Sequence, residues 1–368
     1  MKTAKICHLT SAHPALDVRI FEKECVSLAD QGYEVHLVVA QGESQQLKGV
    51  SITSVKATQK GRFNRMFNTA QAVCEAGLAL DADIYHLHDP ELLRFALKLK
   101  RRGKVVIYDA HEDLPRQIMG KYWIPKYLRS IASRVVEALE NFVVRRLSAV
   151  VVATPFIAER FKPLNSETVV VHNFPKQEGE FIAPSFDKKQ VCYAGGITKN
   201  RGVDVLVEAL SFLPEDYKLL LAGKYSPEQF RAELTEINGW EQVEEKGFIG
   251  RNEVKEMVSQ SIAGLVTLRP LPNYLDALPI KMFEYMQAGL PVIASDFPYW
   301  RTLVEDQGIG VCVNPEDPKA IASAIQRFAN DPALAREMGE RGRKLVTEKY
   351  NWEQEAIVLG ELYQRLSA

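Results

Sequence analysis

The sequence predicts an α/β protein of two doubly wound domains, each a parallel sheet covered by helices. Three observations lead there. Short apolar runs alternate with amphipathic stretches along the chain, the pattern that buried parallel strands and their crossover helices impose. The alternation pauses once, after residue 172, at the polar and proline-bearing FPKQEGEFIAPSFDKK, and then restarts. The length, 368 residues, exceeds what one ordinary hydrophobic core holds.

Taken in order, AKICHLT, YEVHLVVA, ADIYHLH, KVVIYDA and SAVVVAT read as the strands of the first half. Between the first two, VRIFEKECVSLADQG has helical spacing and ends on Gly32. A longer helix is expected over about 125–147, with basic residues between its apolar ones. Past the linker, QVCYAG, YKLLLAG, VEEKGFIG, AGLVTLR, LPVIASD and IGVCV read as strands, with helices such as GVDVLVEALSFL between them. The last helix, NWEQEAIVLGELYQRL, is long enough to cross back onto the first domain. The expected domains are therefore 1–174 and 175–352, with 353–368 completing the first.

Composition narrows the function. Hydrophobic content of 46% and charged content of 25% are those of a globular protein, and no run of eighteen apolar residues is present to span a membrane. MKTAKICHLTSAHPALD has no signal-peptide core and leads straight into a strand pattern. Five scattered cysteines without a CxxC pair point to a reducing compartment and away from a zinc site. The expected location is cytoplasmic. Net charge is −1, yet residues 1–175 hold 24 Lys and Arg against 18 Asp and Glu, and the remainder 22 against 29. The first domain is thus suited to an anionic surface or acceptor, unless its surface differs by chance. Nucleic acid is not an expected partner.

The chemistry concentrates in the second half. GGITKNRG follows strand QVCYAG and precedes a helix. Gly195, Gly196 and Gly202 allow close backbone approach, and Lys199 and Arg201 bring positive charge, a combination that suits phosphate. Glycine also merely turns chains. No G-x-G-x-x-G and no G-x-x-x-x-G-K-[ST] stands at a strand end, which counts against a nicotinamide enzyme and a P-loop NTPase. In DALPIKMFEYMQAGLPVIASD a helix is expected to start at Pro279 and stop near Gly289. Leu278 has no side-chain oxygen to cap it, so a diphosphate at the helix start would serve. Glu284, farther along, would then suit a ribose diol and Asp276 whatever is attached to the far phosphate. Lys281 adds charge there or is solvated. In the competing account Asp276 caps the helix and Glu284 is a surface residue.

This order of pieces resembles the retaining nucleotide-sugar glycosyltransferases of family 4 (glycosyl transferases group 1), over nearly the whole chain. The family pattern of two acids with seven residues between them, followed by a helix ending in A-x-G-x-P-V-I, reads here as Asp276, Glu284 and Gln287-Ala288-Gly289-Leu290-Pro291-Val292-Ile293. The resemblance implies a GT-B fold, two Rossmann-like domains facing a cleft. It implies that Asp276 binds the donor sugar, with one methylene less reach than the usual Glu, and that Glu284 binds the ribose. The backbone of Ala277, Leu278 and Ile280 would line the donor site. The family's Gly–Arg–four residues–Lys–Gly is matched by Gly195, Gly196, four residues, Arg201 and Gly202. Arg201 replaces the usual lysine, and Gly196 leaves one cation missing, for which Lys199 is a substitute. Phe248 and Ile249 in GFIGRNEV match the loop whose backbone meets the base. His111 in YDAHEDLP matches the histidine near the donor sugar and is, with Asp276, the residue expected at the reacting centre. SAHPALDVRIFEKEC resembles a branch in which D-x-R-I replaces the acceptor loop, making His13, Asp17 and Arg19 weaker acceptor candidates.

Asp81-Ala82-Asp83 matches the D-x-D of metal-dependent transferases of another fold, but here it merely precedes a strand with His86 and His88. No metal and no cofactor are expected. The reading is a cytoplasmic, metal-independent, retaining transferase moving a sugar, UDP-linked by preference, to a sugar or lipid-linked hydroxyl in cell-surface polysaccharide or glycolipid synthesis. KYWIPKYLRSIASRVVEALENFVVRRL supplies a basic amphipathic face for peripheral contact with the inner membrane surface, with core packing the competing account. Rivals are a nucleotide-sugar 2-epimerase, which would act on donor alone, and a non-catalytic binding subunit.

Overall fold

The computed structural model describes residues 4–55, 65–120, 124–177 and 179–367. Two compact units make up the chain: Met1–Lys176 with Trp352–Ala368, and Gln177–Asn351.

The first unit is built on eight strands: β1 (Lys5–Thr10), β2 (Glu34–Val39), β3 (Gln45–Leu47), β4 (Val50–Ser54), β5 (Ile84–Leu87), β6 (Val105–Ala110), β7 (Ala149–Val152) and β8 (Thr168–Val170). Their order is β3-β4-β2-β1-β5-β6-β7-β8, and β3 runs antiparallel to β4. The five apolar runs of the sequence form β1, β2, β5, β6 and β7. Three strands were not anticipated. β3 and β8 are edge strands of three residues each, and β3 and β4 (QQL and VSITS) are too polar to stand out.

Alternation along the strands gives this sheet two different faces. Cys7, Leu9, Tyr85, Leu87, Val106 and Tyr108 enter one core. Ile6, Ile84 and Ile107 enter the other, with Phe21, Trp352, Leu359 and Leu362 over them. The cover on that second face comes from a π-helical stretch (Val18–Cys25) continuing into α1 (Val26–Asp30), and from the last helix. Sequence spacing suggests an ordinary helix at residues 18–25. The wider π turn instead buries Arg19, Lys23 and Glu24 beside Ile20 and Phe21, turning charge inward. The helix predicted over about 125–147 is α2 (Lys126–Val144).

The second unit is an all-parallel six-stranded sheet: β9 (Gln190–Ala194), β10 (Lys218–Ala222), β11 (Val243–Gly247), β12 (Ala263–Val266), β13 (Val292–Ser295) and β14 (Gly310–Val313), in the order β11-β10-β9-β12-β13-β14. The order reverses between β9 and β12, and at such a point an open sheet leaves a crevice at its carboxyl edge. Two segments leave the sheet there: the glycine turn after β9, which leads to α3 (Val203–Leu210), and the chain after β12, which leads to α4 (Ile280–Gln287). α4 packs close on β12 because a Cβ on Gly264 would lie 2.2 Å from the Tyr285 ring. The Ala194 amide donates to the Tyr285 hydroxyl at 2.9 Å, tying α4 to the end of β9. The last helix, α5 (Trp352–Ser367), belongs to the first unit.

Candidate active site

Three parts of the second unit meet at the reversal point. The glycine turn is held by backbone bonds to the segment after β10: Gly195 N–H to Ala222 O at 2.9 Å, Ile197 N–H to Lys224 O at 2.8 Å and Ser226 N–H to Ile197 O at 3.0 Å. Gly195 has a φ of +139° and Gly202 one of +69°, backbone that glycine accommodates. Arg201 folds back over the turn, its Nη1 only 3.2 and 3.3 Å from where Cβ atoms on Gly195 and Gly196 would sit. The two glycines thus make room for the guanidinium as well as for a ligand.

Helix α4 begins one residue later than expected. Pro279 is its N-cap (φ −68°, ψ 124°) and Ile280 its first residue. Proline fits either position, since φ is the same; its extended ψ puts it outside the helix, and its carbonyl takes the Met282 amide at 3.0 Å. Pro279 itself has no side-chain group with which to cap this start. Asp276 lies half-buried before the helix with Ala277, Leu278 and Ile280, and its charge bears on Tyr299. Trp300 Nε1 donates to the Ala277 carbonyl at 2.8 Å and fixes the approach. Glu284 is the exposed residue of a helix whose Met282, Phe283, Tyr285 and Met286 are buried.

Lys281 is neither solvated nor peripheral. It is 7% exposed, with Nζ 3.6 Å from the Tyr193 ring centre and 3.6 Å from a Cβ position on Gly195. Nζ has no hydrogen-bond partner. Burial first, and then the neighbouring Arg201, hold its ammonium well below the usual lysine range, against the pull of Glu284 and Cys192. Lys199, the substitute cation of the sequence, is solvent-exposed and lies 3.6 Å from Glu233 on the surface. Only its backbone serves the turn, through the carbonyl that accepts from Arg269 Nε at 3.0 Å. In the 247–254 loop, Phe248 is 75% exposed with Lys224 over its ring, and Ile249 follows it.

The first unit gathers a different set, and strand alternation explains it. His8 of β1 pairs in register with His86 of β5, so both face the core beneath the π-helical stretch, as do His88 and Asp109 farther along. His8 Nδ1 lies 2.9 Å from His88 Nε2, His86 Nδ1 2.8 Å from the Tyr363 hydroxyl, and His88 Nδ1 3.2 Å from His111 Nε2. Burial drives His8 and His86 well below the ordinary histidine range and His88 down to about 4, so these rings are neutral. Burial also raises Glu24, aided by Asp109. The same burial opposes ionisation of Asp109, but Arg19 and then His111 overcome it and keep that carboxyl well below its usual range.

Arg19 and Asp17, expected at an acceptor, are engaged internally. Arg19 is 5% exposed, grips Asp109 through Nε and Nη2 and donates to Val171 O at 3.1 Å. Asp17 caps the π-helical stretch, accepting from the Arg19 and Ile20 amides at 2.9 Å each. His111 keeps a partly open ring 3.2 Å from Asp109, and His13, also partly open, lies 3.2 Å from Asp89. The rings of His13 and His111 are 5.3 Å apart. The donor atoms of His8, Glu24, His86 and His88, and those of His88, Asp109 and His111, each lie within 4.8 Å of one another, a spacing that would admit a cation; His8 and His88 are bonded to each other, while both Glu24 oxygens and His86 Nε2 have no hydrogen-bond partner. Asp81 and Asp83 are used by the fold, on Lys104 Nζ at 2.7 Å and the Lys5 amide at 2.9 Å.

The fold is an α/β architecture with two separate, helix-covered sheets. Residues 19–175 match the family model described as glycosyl transferase 4-like domain, and residues 176–345 match glycosyl transferases group 1. The chain belongs to this family, family 4 of the glycosyltransferases, with a GT-B fold. Among its relatives is the phosphatidyl-myo-inositol mannosyltransferase of Mycobacterium leprae, 24% identical over 78% of this chain and 74% of that protein. Three other curated relatives match over only 42, 46 and 48% of their own length, so the chain spans under half of each. Of solved structures, sucrose-phosphate synthase from Thermosynechococcus elongatus superposes with a TM-score of 0.79 at 18% identity, covering 99% of both chains. HepE from Anabaena, in complex with UDP and glucose, superposes at 0.76 with 13% identity, covering 98% of this chain and all of that one. At such identities the likeness is one of fold.

Proposed function

We propose that this protein is a retaining, metal-independent glycosyltransferase that moves a sugar from a UDP-sugar to an acceptor hydroxyl, in cell-surface polysaccharide or glycolipid synthesis. The observation that carries the reading is the convergence of the proline-capped start of α4, the Gly195–Gly196 turn and Arg201, with Lys281 of α4 ending on Gly195. Helix dipole and guanidinium favour a diphosphate there, and the UDP of HepE agrees with it. Glu284, exposed on α4, faces neutral hydroxyls with a carboxylate that diphosphate itself would repel, which suits a ribose. Asp276 orients the sugar, and His111, in the first unit, is the counterpart of the family's hydrogen-bonding histidine.

As the sugar–phosphate bond breaks, negative charge grows on the leaving diphosphate, where Arg201 and the helix start stabilise it. The acceptor oxygen bonds to the anomeric carbon on the face the diphosphate leaves, and the departing phosphate oxygen takes the acceptor's proton. No covalent carboxylate is needed, and Asp276 is a positioning residue. The acceptor belongs to the first unit, with His13 near it.

A lipid-borne acceptor is supported by α2, on which Tyr127, Ile131, Val135, Leu139 and Phe142 recur at helical spacing and are all at least half exposed. Core packing does not account for that stripe. Lys126, Arg134, Arg145 and Arg146 flank it in the open, the arrangement of a helix lying on an anionic surface.

The first test is a thermal-shift panel of UDP, GDP and ADP and their sugar conjugates, with and without EDTA, on the wild type and Glu284→Ala. Stabilisation by one nucleotide that survives EDTA and is lost in the variant is the expected result. No response to any of them would remove the donor site. Retained anomeric configuration in the product, read by NMR, checks the stereochemistry.

A further inference from the structure

We propose that Lys281 is the second cation of the diphosphate site, standing with Arg201 across the Gly195–Gly196 turn and supplying the charge that Gly196 does not. The inference rests on the donor-site reading above and assigns to it a residue outside the glycine turn.

The geometry is specific. Lys281 is the second residue of α4, and its side chain turns inward to end against Gly195. Its Nζ is 3.6 Å from a Cβ position on Gly195, whose other neighbour, at 3.2 Å, is Arg201 Nη1. The two cations thus share one glycine as their common neighbour, and a Cβ there would crowd both. An alkylammonium buried to this degree ordinarily ends on a carboxylate or several carbonyls. Here Nζ has no hydrogen-bond partner and rests on the face of Tyr193, itself fixed by its hydroxyl donating to Gly196 O at 2.8 Å. A buried donor without an acceptor, beside a second cation and the start of a helix, suits an anion.

The groups facing Lys281 are Arg201 from the turn, Cys192 and Tyr193 from β9, and Glu284 from its own helix. Burial and Arg201 disfavour the ammonium. A diphosphate brings negative charge within reach of both cations, and the amine gains a proton from solvent as it binds. Binding is therefore accompanied by uptake of up to one proton per nucleotide, wherever the pH lies above the pKa of the unliganded amine. Arg201 stays charged throughout.

The test is calorimetric titration of UDP, with GDP and ADP in parallel so that the base does not decide the outcome, and with the matching nucleosides as diphosphate-free controls. Lys281→Met is expected to weaken diphosphate binding roughly ten- to a hundredfold and to leave nucleoside binding unchanged. Lys281→Arg recovers part of the loss. The empty Lys281→Met variant melts no lower than wild type, since a buried ammonium without a partner is removed. Titrations in two buffers of different ionisation enthalpy read proton uptake in the wild type itself, independently of any variant. Undiminished diphosphate affinity in Lys281→Met, or wild-type binding with no proton uptake across the alkaline range, overturns the assignment. If Glu284→Ala abolishes binding while Lys281→Met does not, the donor site stands and Lys281 is excluded from it. If wild type binds no nucleotide, both fall.

Discussion

Asp89 offers the clearest measurable electrostatic effect in the first unit, and Asp89→Asn isolates it. The carboxylate is 2% exposed and accepts from the Ser11 amide at 2.6 Å and the Thr10 hydroxyl at 2.9 Å, with His13 Nδ1 at 3.2 Å. Burial alone would raise its pKa. The His13 contact, followed by Ser11 and Thr10, outweighs burial and brings it from 3.8 down to about 2. A carboxyl so depressed contributes about 2 kcal/mol of stability at pH values above 3.8. Because the folded pKa is the lower one, that stability is complete above 3.8 and lost as pH falls through about 2. His13 has the opposite sign: burial opposes its charge, Asp89 more than compensates, and its pKa lies above 6.5. Its share is complete below 6.5 and lost as pH rises through the folded value. The pair is therefore strongest between these limits. Asparagine keeps an acceptor oxygen and removes the charge, so urea unfolding with hydrogen exchange on first-unit peptides should show a deficit of about 2 kcal/mol near pH 5, shrinking toward pH 3. An NMR titration should find the His13 pKa lowered in the variant. Equal stability near pH 5, or a deficit unchanged at pH 3, would refute this account.

Gly223→Ala is expected to displace the glycine turn, because the new Cβ would lie 1.7 Å from the Gly195 carbonyl oxygen on backbone with φ +149°. A fall of about 3 kcal/mol in second-unit stability and loss of UDP binding check it. Trp352→Ala removes a side chain 1% exposed whose Nε1 donates to Ser27 Oγ at 2.8 Å, and should cost the first unit about 3–5 kcal/mol by denaturant unfolding. EDTA should leave the rate of sugar transfer unchanged; a loss reversed by a divalent cation would refute metal independence. Leu139→Ser with Ile131→Ser should abolish co-sedimentation with anionic lipid vesicles while leaving donor binding intact.

The two sheets were legible because parallel strands buried on both faces leave continuous apolar runs, as β9, β10, β12 and β13 do in the second unit. Polar edge strands carry no such mark. The same limit hid the inward-facing charges: Arg19, Glu24 and Lys281 have the residue types of a solvated surface, and only the packing of the π-helical stretch on β1 and of α4 on β9 turns them inside. Seven scattered histidines gave no hint that five would converge. Strand register put His8 beside His86, and the two-residue repeat brought His88 to the same face. The bracketing of α4 by Asp276 and Glu284 was legible from spacing, but its cap was not, since a one-residue shift at Pro279 turns on ψ alone.

The first unit is interrupted in sequence, and this has a consequence for biosynthesis. Its second face is closed by Trp352, Leu359, Leu362 and Tyr363, and the Tyr363 hydroxyl holds His86. A ribosome must make the whole of Gln177–Asn351 first, a delay on the order of ten seconds to half a minute at ordinary elongation rates. Throughout that interval the nascent first unit presents apolar side chains and buried imidazoles to water, inviting chaperones. A chain released before Trp352 leaves the ribosome with that surface uncovered, so quality control can recognise premature termination by exposed greasy surface alone.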